Sequence, residues 1–360
     1  MAASAAASLT RHHAQYHNHV LRNLPAFSHA FCYGASVLFP QNKINKTRML
    51  DYIVAVDDAR SWHAENIDKN PQHYSRLAKL FGNANNNGSA LSQLSNSIGC
   101  GVHFNAFVAI DEPNASVYPQ QMYKYGVVEV ARLTRDLEAW DDLYVAGRMQ
   151  KPHQRCETSN TNVEKLNRGK NLRAALAFAL LSQTMDEDVN TFGKQSYVDE
   201  TKIYEAIANL SYDGDVRFMF GAEDRNKAKK LARESLEAMR EWYDESLRDF
   251  RDSLDSVLDF RDEVREDGST HRTIRRDISP STTRKLLAAL PTKFLQNIFD
   301  GDLSEFDSMV REANAKKISD LIRATARKIV RRSSMRQTMY AALTTDFGKA
   351  TSYAMQKFSK

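Results

Sequence analysis

Asp51-Tyr52-Ile53-Val54-Ala55-Val56 runs directly into Asp57-Asp58. The β-branched, apolar run predicts a buried strand. An acid at the head of such a strand costs free energy unless a metal or a cation offsets it. Fifteen residues before Asp51 the turn Tyr33-Gly34-Ala35-Ser36 comes to its end. A small turn that lets backbone amides approach a triphosphate, then a strand bearing carboxylates for a divalent metal, is what nucleotidyl transfer requires.

Outward from that strand, apolar alternation predicts further strands over Val102 to Ile110 and Tyr125 to Val130, separated by Asn/Gly loops such as Gly82 to Gly88. Helical periodicity then takes over. Ala131 to Tyr144, Asn171 to Leu181 and Asn226 to Phe250 carry apolar residues at three- and four-residue spacing. Arg251 to Thr283 is dense in charge and ends in Ser279-Pro280-Ser281-Thr282-Thr283, the pattern of a solvated insertion or linker. A helical pattern resumes from Lys285, and no internal repeat interrupts it.

With 360 residues, 42% of them hydrophobic, the chain can bury a core and divide into two or three domains. No apolar stretch approaches the roughly 20 residues needed to span a bilayer; the longest, Ala174 to Leu181, sits inside a helical pattern. Cys32, Cys100 and Cys156 show no close pairing, which argues against a disulfide framework and a zinc ribbon and fits a reducing compartment. The net charge of +5 is unevenly spread: Asp51 is the first acid in the chain, after an Ala/Ser-rich start with scattered arginines. Such a start reads as an organelle transit segment over residues 1–25, or as a disordered tail before a domain near Pro25. The cluster His12, His13, His17 and His19 has no carboxylate or cysteine nearby to complete a metal site.

Asp51 is the leading Mg²⁺ candidate. Asp57 stands six residues beyond it, roughly 20 Å along an extended strand, so the two share one ion only if the chain bends. Asp57 and Asp58 are therefore read either as metal ligands or as caps of a helix starting near Ala59. Lys124, before Tyr125-Gly126-Val127, and the turn Gly147-Arg148-Met149-Gln150-Lys151-Pro152 supply cations that either cradle phosphates or lie on an ordinary surface. From Lys316 to Lys360 eleven Lys/Arg face only Asp320 and Asp346. At about 100° per residue Phe347, Ala354 and Phe358 fall on one side of the last helix, with Lys349, Lys357 and Lys360 opposite, the pattern of an interfacial anchor or of a helix docked on the core.

The run Met49 to Asp58, then Trp62-His63, Asn66-Ile67, Asn70 and His73-Tyr74-Ser75, resembles the mitochondrial translocator assembly and maintenance family, whose members are mitochondrial phosphatidate cytidylyltransferases. Further matches follow in order at Gly99 to Asn105, Lys124 to Val127, Leu143 to Arg148 with Lys151-Pro152, Leu210 to Tyr212 with Gly214-Asp215 and Arg217, and Gln337 to Lys360. The chain departs from the family at two turns. Tyr-Gly-Ser becomes Tyr33-Gly34-Ala35 with Ser36 one place late, and Thr-Ala-Gly becomes Thr344-Thr345-Asp346.

The resemblance implies an α+β architecture: a nucleotidyltransferase-type mixed sheet with helices over 26–170, a helical winged-helix-like domain over 171–310 with a charged insertion at about 251–283, and a basic C-terminal region over 311–360 ending in an amphipathic membrane-contacting helix. It implies transfer of CMP from CTP to phosphatidic acid with release of pyrophosphate, on the matrix side of the mitochondrial inner membrane, for cardiolipin synthesis. Gly34 and Ser36 would lie at the triphosphate turn, Asp51 would hold Mg²⁺, and Lys124, Arg148 and Lys151 would face phosphates. The lipid phosphate is itself the nucleophile and is already ionised, so no Ser-His-Asp constellation is expected. Two other readings share the turn and the carboxylate: a template-independent RNA nucleotidyltransferase, for which base-stacking aromatics interleaved with Arg/Lys are missing, and a non-catalytic inner-membrane import assembly factor. No nucleic-acid partner is expected.

Overall fold

The computed structural model describes residues 17–34, 37, 49–82, 89–110, 122–156, 160–183, 196–219, 224, 226–253, 258–264, 270–276, 279–299, 310 and 315–344. The fold is α+β, and the chain forms two compact units. The first draws on Met1–Thr134, Pro152–Val163 and Ser333–Lys360, the second on Arg135–Lys151 and Glu164–Arg332.

Unit 1 is built on a five-stranded mixed sheet of β1 (His29–Tyr33), β2 (Leu50–Val56), β3 (His103–Ala109), β4 (Met122–Glu129) and β5 (Gln154–Arg155), in the order β3-β4-β2-β1-β5. Only β2 and β4 run parallel. Leu50 and every residue from Tyr52 to Val56 are buried, so the predicted strand is central and covered on both faces, while Asp51 at its head is partly exposed. One face of the sheet packs Cys32, Tyr52, Val54, Tyr123, Tyr125 and Val127 against Trp62 of α1 (Ala59–Lys69). Val20, Leu21 and Leu24 join this core, and His17 bridges Tyr52 Oη and Gln154 Oε1 at 2.7 Å each. His17 to Leu24 are therefore part of the folded unit. A 3₁₀ turn (Pro71–His73), α2 (Arg76–Gly82) and α3 (Ser89–Ser97) follow.

Unit 2 takes the second half of α4 (Val130–Ala139), then α5 (Ala146–Met149) and, after α6 (Thr161–Leu166), a π-helical segment Asn167–Leu172 that continues into α7 (Arg173–Ser182). Every residue from Ala174 to Ser182 is buried, which is why this helix is apolar all round. It also contains β6 (Ser196–Asp199), α8 (Glu200–Leu210), α9 (Val216–Met219), α10 (Lys227–Glu234) and α11 (Leu236–Ser253). β7 (Leu258–Val264) and β8 (Thr270–Arg276) pair as an antiparallel ladder with β6 beyond β8. Strands thus occupy the charge-dense stretch read as an insertion. Its charges pair across the ladder, with Asp262 opposite Arg272 and a 2.8 Å contact between them. Helices α12 (Pro280–Ala288), α13 (Thr292–Ile298) and α14 (Ala315–Thr344) complete the fold, α14 giving its residues from Ser333 on to unit 1. No described helix is long and apolar enough to cross a membrane. The residues proposed as a terminal anchor, Phe347, Ala354 and Phe358, lie outside the described residues.

Candidate active site

In unit 1 the register of three adjacent strands gathers the predicted residues. Asp51 is the Cα partner of Tyr33 on β1 and of Lys124 on β4. Lys124 Nζ lies 4.0 Å from Asp51 Oδ1 and 4.4 Å above the Phe104 ring. That ring sits directly on Gly126, where a Cβ would come within 2.5 Å of Phe104 Cε1. Glycine is needed there because a neighbouring side chain occupies the space. Gly34, immediately after β1, has φ +91°, and a Cβ on it would lie 3.7 Å from Asp51 Oδ2. Its carbonyl accepts the Val37 amide at 3.1 Å. Carboxylate, ammonium and glycine turn are therefore brought together at one end of the sheet. Ser36 lies outside the described residues.

Asp57 and Asp58 lie at the opposite end of β2, and the geometry fits the capping alternative. Ser28 Oγ donates to Asp57 Oδ1 at 2.6 Å. Asp58 accepts the Arg60 and Ser61 amides at 3.0 and 3.4 Å as the N-cap of α1. Burial pulls the Asp58 carboxyl upward, but bonds from Ser61 and the Arg60 amide prevail and hold it below the usual carboxylate range. Neither joins Asp51 around one ion, because β2 runs straight between them. Among the described residues no three His, Cys, Asp or Glu gather into a metal cage. One partly exposed carboxylate fits Mg²⁺, which typically takes one or two protein carboxylates and completes its shell with water and substrate phosphates. It would not fit a closed structural site.

Behind Lys124, on the other face of β4, the next residue is clamped. Tyr125 Oη accepts from Asn66 Nδ2 at 2.8 Å and Asn105 Nδ2 at 3.0 Å, which leaves its own proton for His73 Nδ1 at 2.9 Å. Asn66 also donates to Tyr74 Oη at 2.9 Å. The histidines of the His63/His73 region are thus members of a buried hydrogen-bonded network that stiffens the site's floor.

Unit 2 assembles the basic residues. Asp136, fully buried on α4, accepts four backbone amides, from Asp142, Leu143, Val145 and Ala146, at 2.9–3.0 Å. Burial pushes this carboxyl up, and the amides oppose the shift. This clamp holds the strained turn in which Trp140 and Leu143 adopt φ of +53° and +49°. Asn171, in the π-helical segment, accepts from Trp140 Nε1 at 2.9 Å and donates to the Ala146 carbonyl at 3.1 Å. Asn167 donates to the Met149 carbonyl at 3.1 Å. The widened π turn brings both asparagines onto the loop.

The loop so held presents Arg148 and Lys151. The Arg148 guanidinium lies 4.1 Å over the Tyr144 ring and donates to the Tyr144 carbonyl. Lys151 Nζ donates to the Gly147 carbonyl at 2.5 Å and to Ser211 Oγ at 2.8 Å, and stands 4.7 Å over the Tyr212 ring. Lys227, at the start of α10, approaches the same ring at 5.3 Å. Burial, then Arg148 and Lys227, push the Lys151 ammonium down to about 7. Two lysines over Tyr212, with Arg148 close enough to act on Lys151, suit an anion with several oxygens. Gly147 is packed so closely that a Cβ would fall 2.3 Å from Ser211 Cβ.

The profile of a family described as mitochondrial phosphatidate cytidylyltransferase matches residues 17–360. The chain belongs to that family. Among individual relatives, a protein of that name from Rattus norvegicus is 29% identical over 352 residues, covering 95% of this chain and 93% of the relative. Its counterpart in Danio rerio is 28% identical over 363 residues, covering 96% and 94%. The one from Saccharomyces cerevisiae is 33% identical over 216 residues, covering 59% and 50%.

Within the family frame, some residues of the basic group are invisible to periodicity. Asp136, Asn167 and Asn171 look like ordinary polar positions of helices, and Lys227 is one of three lysines in Lys227-Ala228-Lys229-Lys230. The helical pattern read as far as Tyr144 stops at Ala139, and Leu210-Ser211-Tyr212 carries the family resemblance.

Proposed function

We propose that this protein is a CTP-dependent phosphatidate cytidylyltransferase, forming CDP-diacylglycerol and pyrophosphate from CTP and phosphatidic acid. Its family membership over residues 17–360 carries the reaction class. The single geometric observation that carries the site is Asp51 at the head of β2, flanked in register by the Gly34 turn and by Lys124. The relatives are named as mitochondrial enzymes, and we place this chain on the matrix face of the inner membrane as a peripheral protein feeding cardiolipin synthesis. Unit 1 is read as the nucleotidyltransferase-type domain and unit 2, with its three-stranded sheet among helices, as the winged-helix-like one.

In this reading the reaction joins two anions, and the protein's task is to lower their repulsion and align them. A phosphate oxygen of phosphatidic acid attacks the α-phosphorus of CTP, and the bond to pyrophosphate breaks. Mg²⁺ bound with the triphosphate at Asp51 would supply charge neutralisation for the leaving group. Gly34 lets the turn approach the triphosphate without a side chain in the way. Lys124 holds its ammonium beside Asp51 and Phe104, ready for a phosphate oxygen. Within unit 2, Arg148, Lys151 and Lys227 would offer charge-assisted hydrogen bonds to a phosphate group.

The test is direct. Labelled CTP with phosphatidic acid should yield labelled CDP-diacylglycerol only when Mg²⁺ is added, and Asp51→Asn should remain folded and lose at least about 100-fold in kcat/KM. A folded, fully active Asp51→Asn protein would refute the assignment.

A further inference from the structure

Large apolar side chains at the surface are not scattered in this protein. Seven are exposed among the described residues, and five of them belong to two helices of unit 1: Leu77 and Leu80 on α2, and Met335, Met339 and Leu343 on α14, each between 42 and 62% exposed. The three α14 residues repeat every fourth position and so form one stripe along its last turns. The two helices are joined. Ser75 Oγ, at the start of α2, donates to the Thr344 carbonyl at 2.5 Å, and Ala78 and Tyr340 share a buried cluster beneath them. The inward face of α14 is fixed by Tyr340 Oη against His103 at 2.8 Å and by Gln337, which donates to the Val102 carbonyl at 2.9 Å. The outward stripe is thus not spare core surface waiting to turn inward.

Charge on α2 and on α14 from Ser333 to Thr344 has one sign. Neither the stretch from Lys69 to Ile110 nor that from Leu321 to Thr345 contains an aspartate or glutamate, while Arg76, Lys79 and Arg336 lie on these same helices. Contiguous apolar surface on a folded unit marks an interaction site. Apolar residues mixed with cations and free of acids complement an anionic lipid surface better than a second protein core, which would bring no compensating negative charge.

We infer that the face formed by α2 and the end of α14 is a docking surface for an anionic phospholipid bilayer, with Met335, Met339 and Leu343 entering the headgroup boundary. The inference rests on the reading of phosphatidic acid as substrate, since an enzyme that takes its nucleophile from a bilayer must rest on one. It differs from a terminal anchor in assigning the contact to the folded unit itself, which sets the unit's orientation to the membrane as well as its residence there.

Two measurements on the full chain test it. In Met339→Trp, emission on vesicles of equal phosphatidylglycerol and phosphatidylcholine should shift to the blue and be quenched by brominated lipid, beyond the response of the parent protein with its own three tryptophans. An unchanged spectrum would overturn the inference. The triple variant Met335→Glu, Met339→Glu, Leu343→Glu should turn over phosphatidic acid in those vesicles at least tenfold more slowly, while its rate on a water-soluble short-chain phosphatidate matches the parent. Equal vesicle turnover by variant and parent, or a variant that changes only self-association, would also overturn it. The Trp measurement needs no turnover, so a parent protein inactive on both substrates would refute the proposed reaction and leave the docking result readable.

Discussion

Lys124 and Asp51 are Cα partners on the two parallel strands of unit 1, and their charges meet at 4.0 Å at the head of β2. An ion pair this exposed adds little to stability, so its use lies in what it holds ready. Lys124→Met should therefore leave thermal stability within about 0.5 kcal/mol of the parent and raise KM for CTP by about tenfold, with Lys124→Arg recovering part of the loss. Steady-state kinetics alongside a melting curve separates the two effects. An unaltered KM would remove Lys124 from the phosphate site.

Gly147 places its α-carbon against Ser211, whose hydroxyl accepts from Lys151. Gly147→Ala would push a methyl group to within 2.3 Å of Ser211 Cβ. The strand of contacts from Lys151 to Ser211 and Tyr212 should be disrupted, with a loss of about 1–3 kcal/mol in stability and a weakened response to CTP. Ser211→Gly in the same chain should restore part of the stability by making room, and failure of that rescue would mean the clash is relieved elsewhere.

Asp136 holds four amides with one carboxylate. Asp136→Ala leaves those donors buried without their acceptor and should cost about 3 kcal/mol or more. Asp136→Asn keeps the shape but offers only one acceptor oxygen, so it should fall between the parent and alanine. If Arg148 and Lys151 meet phosphate as proposed, kcat/KM should fall in step with the loss of loop order, followed by hydrogen exchange of the Asp142 to Ala146 amides.

How much of this was legible depends on the range over which each residue acts. The strand at Asp51 was readable because the apolar run from Tyr52 to Val56 is buried without a break, and Lys124 because its strand shows the same pattern. Asp57 and Asp58 were legible in part, because at about 3.3 Å per residue six positions put Asp57 at the far end of the strand from Asp51, where Asp58 caps α1 as one of its two readings has it. The π-helical turn that aims Asn167 and Asn171 into the loop leaves no mark in a 3.6-residue period. Lys227 meets Tyr212 only through tertiary packing. The ladder at Asp262 and Arg272 was hidden by its charges, which read as solvated until each finds its opposite across the strands.

The phosphate role proposed for Lys151 carries a proton signature. With its ammonium pushed down to about 7 by burial and by Arg148 and Lys227, it is partly neutral just above neutrality. A phosphate arriving beside it favours the charged form and raises its pKa. Binding of CTP should therefore take up a proton at pH 7.5–8, visible as a buffer-dependent heat in titrations in HEPES and in Tris. Lys151→Met should bind more weakly and abolish the uptake. Uptake that persists in that variant would assign the proton to another group.

His103 and His63 make the stability of unit 1 dependent on acid. Burial pushes His103 down to about 4, partly opposed by a bond from Asn105, and burial together with His103 carries His63 well below its ordinary value. Their rings meet at 5.2 Å, with Tyr74 and Tyr340 as hydroxyl partners of His63 and His103 at 2.8 Å each. Both are neutral in the folded unit, whereas in the unfolded chain each protonates near pH 6.5. Between about 6.5 and 4 the unfolded chain binds more protons, so stability must fall as the pH is lowered through that window. A shift of this size in His103 alone corresponds to about 3 kcal/mol lost by pH 4. Denaturant unfolding of the parent and of His103→Gln, measured at pH 7.5 and pH 5, should show a smaller acid loss in the variant, whatever its stability at pH 7.5. Parallel losses in the two proteins would mean that His103 is not the group that titrates.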